Sequence, residues 1–183
     1  MSARRHPSPV DETASPLALN TAPSTLHVFH VDDSPDDHLL LKTAAEMAQA
    51  PFTWDVAESA DTAIFYLRTI LALGGQSALT WPDLILLDVS LPQGGGLKVL
   101  KFIRSIPQLN SLRVVVLSGS NAPGILEEAC ESGADSVLFK PSAFRDLVKL
   151  AASLHATWST ARRLSPEVSP VADSIHLTAR PAE

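Results

Sequence analysis

The sequence predicts a doubly wound α/β fold: a five-stranded parallel sheet in the order 2-1-3-4-5, with helices on both faces. Three observations lead there. Apolar runs alternate with segments of helical periodicity five times along the middle of the chain, which implies a parallel sheet covered on both sides. Two of the runs, residues 84–87 and 114–117, are apolar at consecutive positions, as strands between two helical layers are. Four of the runs end on groups able to do chemistry: Asp32-Asp33, Asp88, Ser118 and Lys140-Pro141. In such sheets ligands bind just beyond the carboxyl ends of the strands.

Each element has its own signal. Residues 26–31 are an apolar run between turn formers and read as the first strand. Leu39, Leu40, Thr43, Ala44 and Met47 recur at helical spacing over residues 36–48. Ser34 and Pro35 ahead of them supply a cap and a first turn. The second strand covers residues 52–57 and the second helix 60–73, which Gly74-Gly75 terminates. A loop to Pro82 leads into the third strand. The third helix spans 97–106, with Leu97 and Leu100 on an apolar side and Lys101 and Arg104 on a basic one. The fourth strand is followed by a short helix over about 123–131, a strand near 137–139 and a last helix over 142–161. Right-handed crossovers make the flavodoxin-like order 2-1-3-4-5 the simplest arrangement. It puts the Asp32-Asp33 pair, Asp88, Ser118 and Lys140 side by side.

Composition bounds the rest. At 183 residues, 45% hydrophobic and 19% charged, the chain suits one globular domain with tails. Residues 1–24 hold Pro7, Pro9, Pro16 and Pro23 among Ser, Thr and Ala, and read as a disordered tail. Residues 25–161 form the domain. Residues 162–183, with Pro166, Pro170 and Pro181, read as a second tail in which Ile175-His176-Leu177 is apolar enough to dock locally. The net charge of −6 argues against nucleic-acid binding through a broad basic face. No apolar run approaches the ~20 residues that span a bilayer, and the Arg4-Arg5 terminus lacks an apolar signal core. The expectation is a cytoplasmic protein off the membrane. The lone Cys130 excludes an intramolecular disulfide and is expected to be a small buried hydrophobe.

The chemistry follows from charge. Two carboxylates ~4 Å apart repel by about 4 kcal/mol at an effective dielectric near 20, so Asp32, Asp33 and Asp88 in one pocket would raise one another's pKa. A hard divalent cation removes the conflict, and oxygen-only ligands favour Mg²⁺. The six histidines, at 6, 27, 30, 38, 155 and 176, are too scattered to compete for a softer metal. A Mg²⁺ site beside a free carboxylate suits phosphoryl transfer through an aspartyl phosphate. Charge in that transition state spreads over the equatorial oxygens. Mg²⁺ covers one, the Lys140 ammonium a second, and the Ser118 hydroxyl with amides near Ser90 the third.

Asp32-Asp33, Asp88 with Leu91-Pro92 and Gly94-Gly95-Gly96, Ser118, Gly133-Ala134-Asp135 and Lys140-Pro141 together resemble the receiver domain of two-component response regulators. The resemblance covers about residues 25–160. It implies that Asp88 is the phospho-acceptor, that Asp32, Asp33 and Asp88 hold Mg²⁺ with the Ser90 carbonyl, and that Lys140 pairs with the phosphoryl group. It further implies that Ser118 swings to report phosphorylation and that Lys140–Pro141 is cis. Such a protein is not an enzyme in its own right: a sensor histidine kinase supplies the phosphoryl group and the signal leaves by protein–protein contact. One departure is Val137, where receivers carry Tyr or Phe three residues before the lysine; the aromatic is missing or moved to Phe139. The long loop over 74–81, Trp81-Pro82-Asp83-Leu84 and Leu91-Pro92 are similar to stand-alone receivers that serve bacterial and cyanobacterial phytochromes, which implies a bacteriophytochrome partner.

Other readings compete. A haloacid-dehalogenase-type phosphatase wants an Asp two residues after its nucleophile, where this chain has Ser90. A phosphorylation-independent scaffold is kept open by Val137. A DNA-binding output would need more than the about 20 Pro-containing residues after the last helix, so output passes through another protein or a homodimer. By the resemblance the dimer face is residues 122–131, 136–139 and 144–154: the fourth helix, fifth strand and fifth helix. Read singly, Asp32-Asp33 is an acidic helix start, and Gly94-Gly95-Gly96 a flexible turn, since no Gly-Lys-Ser/Thr follows. Likewise, His30 is packed or hydrogen-bonded within the sheet and Arg162-Arg163 is a solvated helix end.

Overall fold

The structure is a computed structural model that describes residues 24–73, 80–119 and 123–159. The expectations for residues 1–23 and 162–183, the Gly74-Gly75 stop and the Arg162-Arg163 helix end lie outside the described residues. In chain order the elements are β1 (Leu26–Val31), α1 (Pro35–Met47), β2 (Phe52–Ala57), α2 (Ala60–Leu73) and β3 (Leu84–Asp88). A short 3₁₀ turn (Pro92–Gly94) leads to α3 (Gly95–Ser105), β4 (Val114–Ser118), α4 (Pro123–Glu131), β5 (Ser136–Phe139) and α5 (Phe144–Trp158). The sheet order is β2-β1-β3-β4-β5, with every neighbouring pair parallel, as expected.

The strand patterns account for the layering. β1, β3 and β4 are buried at every position because helices cover both faces. On one face Phe29, Val31, Ile85, Leu87 and Val116 pack with Leu67 and Ile70 of α2 and Val99, Leu100 and Ile103 of α3. On the other, Val28, Leu86, Val115 and Leu117 pack with Leu41 and Ala44 of α1 and Leu147 and Leu154 of α5. α1 starts as its cap residues dictate: Ser34 is the N-cap, its Oγ accepting the Asp37 N–H at 3.3 Å, and Pro35 opens the helix.

Four expectations are corrected. Cys130 is exposed; the adjacent Ala129 takes the inward position of α4, and one residue further the helix turns Cys130 to solvent. Lys140–Pro141 is trans, since no described peptide bond is cis. The trans form is intrinsically favoured by about 0.5–1 kcal/mol before proline, and in it the Lys140 N–H still bonds the Ser118 carbonyl at 2.8 Å. α5 begins at Phe144, two residues later than expected. The three glycines are not a merely flexible turn, for α3 already begins at Gly95. Gly94 supplies a φ of +67°, open to glycine and costly to most residues. Gly96 lies against the end of β3, where an added Cβ would stand 2.3 Å from the Asp88 carbonyl and 2.6 Å from Val89 Cα.

Because those neighbours are backbone atoms, they cannot yield as a flexible side chain would. Gly96→Ala should therefore destabilise the fold by about 1–3 kcal/mol, the usual range for overpacking. Urea denaturation measures this; an unchanged midpoint would mean that β3 and α3 separate at no cost.

Candidate functional site

The carboxyl ends of β1, β3, β4 and β5 bring one polar residue each to the same rim of the sheet. Asp32 follows β1 and is fully buried, Asp88 ends β3, Ser118 ends β4 and is buried, and Lys140 follows β5. The Lys140 ammonium lies at the centre. Its Nζ donates to Asp32 Oδ2 at 2.5 Å, to Asp37 Oδ2 at 2.6 Å and to Asp88 Oδ2 at 3.1 Å. The other carboxylate oxygens are held by the backbone. Asp32 Oδ1 accepts the Ser34 N–H at 2.9 Å, and Asp88 Oδ1 accepts the Ser90 N–H at 2.6 Å.

Of the residues singled out in the sequence, Asp32, Asp88 and Lys140 are thus in direct contact. Ser118 is tied to Lys140 through its carbonyl, and Ser90 to Asp88 through its N–H. Asp33 is exposed and is not among the partners of the ammonium. Among the described residues no three His, Cys, Asp or Glu side chains form a group arranged to hold a metal. Asp37 was not foreseen. The one available signal was its place in the first turn of α1, one residue past Asp36, where acids are common for dipole reasons alone.

Residues 28–152 match the family model of the response regulator receiver domain. The chain belongs to that family. Receiver relatives include the Arabidopsis thaliana two-component response regulator ARR5, 31% identical over 139 residues that cover 73% of this chain and 72% of that protein. A protein-glutamate methylesterase/protein-glutamine glutaminase of Cereibacter sphaeroides is 36% identical over 167 residues, 86% of this chain but 42% of that protein. The chain therefore spans about two-fifths of the length of that relative. Among solved structures, the phosphorylated cyanobacterial phytochrome response regulator RcpA superposes with a TM-score of 0.66 at 26% identity, over 76% of this chain and 98% of that one. The protein is thus a receiver domain of the two-component signalling class.

The receiver's rim is strongly charged. Burial alone would raise the Asp32 carboxyl. The His30 imidazole 3.6 Å away, the Lys140 ammonium and the Ser34 N–H reverse this and hold it well below the usual carboxylate range. Burial likewise works against the Lys140 ammonium, but Asp32, Asp37 and Asp88 outweigh it and keep its pKa above the ordinary lysine value. Three carboxylates against one ammonium leave the cluster negative, and its donors are all oxygen. That chemistry suits a further hard cation.

Beneath Asp32 lies a pair of histidines. His30 Nδ1 is 2.8 Å from His38 Nδ1, and His38 Nε2 donates to the Asp32 carbonyl at 2.8 Å. The hydrogen bond of His30 therefore runs to α1 and not within the sheet. Its Nε2 is buried without a hydrogen-bond partner among the described residues, at 3.6 Å from Asp32 Oδ2, too far for one. Burial lowers the His30 pKa from 6.5, against the pull of Asp32.

The sign of the resulting pH dependence is fixed. Below pH about 6.5 the unfolded chain protonates this histidine while the folded chain resists, so the unfolded state binds more protons and stability drops as the pH is lowered. The contribution of one such group cannot exceed about 1.4 kcal/mol per pH unit. His30→Leu should flatten that part of the profile between pH 7 and 5 in urea titrations; an identical slope in the variant would show that another group carries it.

Proposed function

We propose that this receiver accepts a phosphoryl group on Asp88 from a sensor histidine kinase and passes the signal on through protein–protein contact. The supporting observation is the Lys140 ammonium seated on Asp32, Asp37 and Asp88 at the carboxyl end of the sheet. In this reading a carboxylate oxygen of Asp88 attacks phosphorus as the bond to the donor nitrogen breaks. The electron pair stays with that nitrogen, and Asp88 becomes an acyl phosphate. The Ser90 N–H and Lys140 hold the Asp88 carboxylate for attack. Lys140 meets negative charge on the phosphoryl oxygens, and the Ser118 hydroxyl turns toward them and reports the change. Asp32, Asp33, Asp88 and the Ser90 carbonyl would hold Mg²⁺, which when bound supplies positive charge to the phosphoryl oxygens. Hydrolysis of the acyl phosphate resets the site.

A hydrolase reading has less support, because position 90 carries Ser and offers Asp88 a backbone N–H rather than a general acid. The similarity to the phytochrome regulator RcpA supports a phytochrome-type kinase as the donor. No helix among the described residues is long and apolar enough to cross a membrane, which fits a cytoplasmic site of action. Output through a homodimer is supported by the α4–β5–α5 face, where β5 is an edge strand and Phe139 is 57% exposed.

Incubated with radiolabelled acetyl phosphate and Mg²⁺, the wild type should take up base-labile label. Asp88→Asn should take up none, and a chelator should abolish uptake; label on Asp88→Asn would overturn the assignment. Light scattering tests the dimer: a monomer both with and without phosphorylation would remove it, whereas a dimer lost on Phe139→Asp would place it at the β5 edge.

A further inference from the structure

Lys140 has no hydrogen to spare. An ammonium carries three N–H donors, and three carboxylates face it at hydrogen-bonding distance. Engaging a phosphoryl oxygen requires it to give one of them up. Asp88 is the residue to be modified, and the Asp32 side chain is only 1% exposed, so releasing it would leave a buried carboxylate without its countercharge. The Asp37 side chain is 35% exposed and lies in the first turn of α1, where water can take over its hydrogen bonds. Asp37 and Lys140 also line a cavity of about 280 Å³ with His30, Leu41, Leu117 and Leu147, which gives the two groups room to part.

We propose that Asp37 is a latch on Lys140: it holds the ammonium in the unphosphorylated state and must release it before a phosphoryl group can be bound. The inference rests on Asp88 being the phospho-acceptor and concerns a residue that acts through Lys140, a positioning residue. Two effects of Asp37 then point the same way. It competes for the ammonium, and its own charge opposes the charge of the incoming phosphoryl group. Removing the charge should therefore favour the phosphorylated form, although Asp37 belongs to the acidic rim that attracts cations.

Beryllofluoride, a phosphoryl mimic, supplies the test at saturating Mg²⁺, so that any change in metal affinity drops out. Fluorine NMR would follow its binding to the full chain. Asp37→Asn should bind about three- to tenfold more tightly than the wild type, the range expected for one charge in a partly exposed site. Asp37→Glu, which keeps the charge, should restore affinity toward the wild-type value. In the free protein the Lys140 ammonium resonance should broaden through faster hydrogen exchange in Asp37→Asn only. A merely structural role for Asp37 would lower stability without tightening binding. Equal or weaker binding by Asp37→Asn, with wild-type binding intact, overturns the latch and leaves the phospho-acceptor reading standing. Absence of binding by the wild type, with Asp88→Asn indistinguishable from it, overturns both.

Discussion

One ammonium ion facing three carboxylates ties the carboxyl end of the sheet together. Lys140 follows the edge strand β5, yet its partners come from the ends of β1 and β3 and from the first turn of α1. Without it those carboxylates would repel one another across a mostly buried rim. The cluster therefore depends on a chain of geometry: β1 and β3 must be neighbours, β4 must separate β3 from β5, and the lysine must reach back over Ser118. The observed order β2-β1-β3-β4-β5 satisfies all three.

The packing below the rim serves that geometry. Helices on both faces let β3 and β4 be apolar up to their last residues, so the only buried polar groups of β3 and β4 fall where the strands end, at Asp88 and Ser118. Polar networks at the other end fix the strands that the helices cannot. His27 Nε2 meets Asp55 Oδ2 at 2.9 Å, Tyr66 donates to the same oxygen at 2.7 Å, and the His27 N–H bonds Asp83 at 2.8 Å. Burial, with the nearby Asp55, pushes the Tyr66 hydroxyl pKa up, so it stays a donor. Arg104 does the same for the far side: its guanidinium reaches the Gly133 and Leu112 carbonyls and Asp135, joining the end of α3 to the turns flanking β4 and α4.

Elements whose signals are local were legible in the sequence. Continuous apolar runs give the strands, and Ser34-Pro35 gives the start of α1, because each depends on neighbours in the chain. The meeting of Asp32, Asp88 and Lys140 was legible too, since strand order alone carries it. What escaped depends on contacts between elements. Asp37 looks like any acid at a helix start until Lys140 is placed beside it. Arg104 reads only as part of the basic side of the third helix, but carbonyls from three loop positions surround it. Gly96 reads as flexibility, and its cause is the approach of the Asp88 backbone. Cys130 was misjudged because a helix residue's burial turns on register, and Ala129 holds the inward position.

The route by which the site speaks to the surface is constrained by Val137. That side chain packs against the core shared with α2 and α3, and a β-branched residue has little rotameric freedom at χ1. It cannot swing in and out as an aromatic ring could. Ser118 pairs with Phe139 in the β4–β5 ladder, and its carbonyl accepts the Lys140 N–H at 2.8 Å. On the proposed function, an ammonium drawn toward a phosphoryl group pulls on the residue that closes the β4–β5 ladder. The neighbour of that residue is Phe139, an exposed ring on an edge strand. In this chain the shift would therefore surface as movement of the strand itself, with Phe139 carried along as its outermost point.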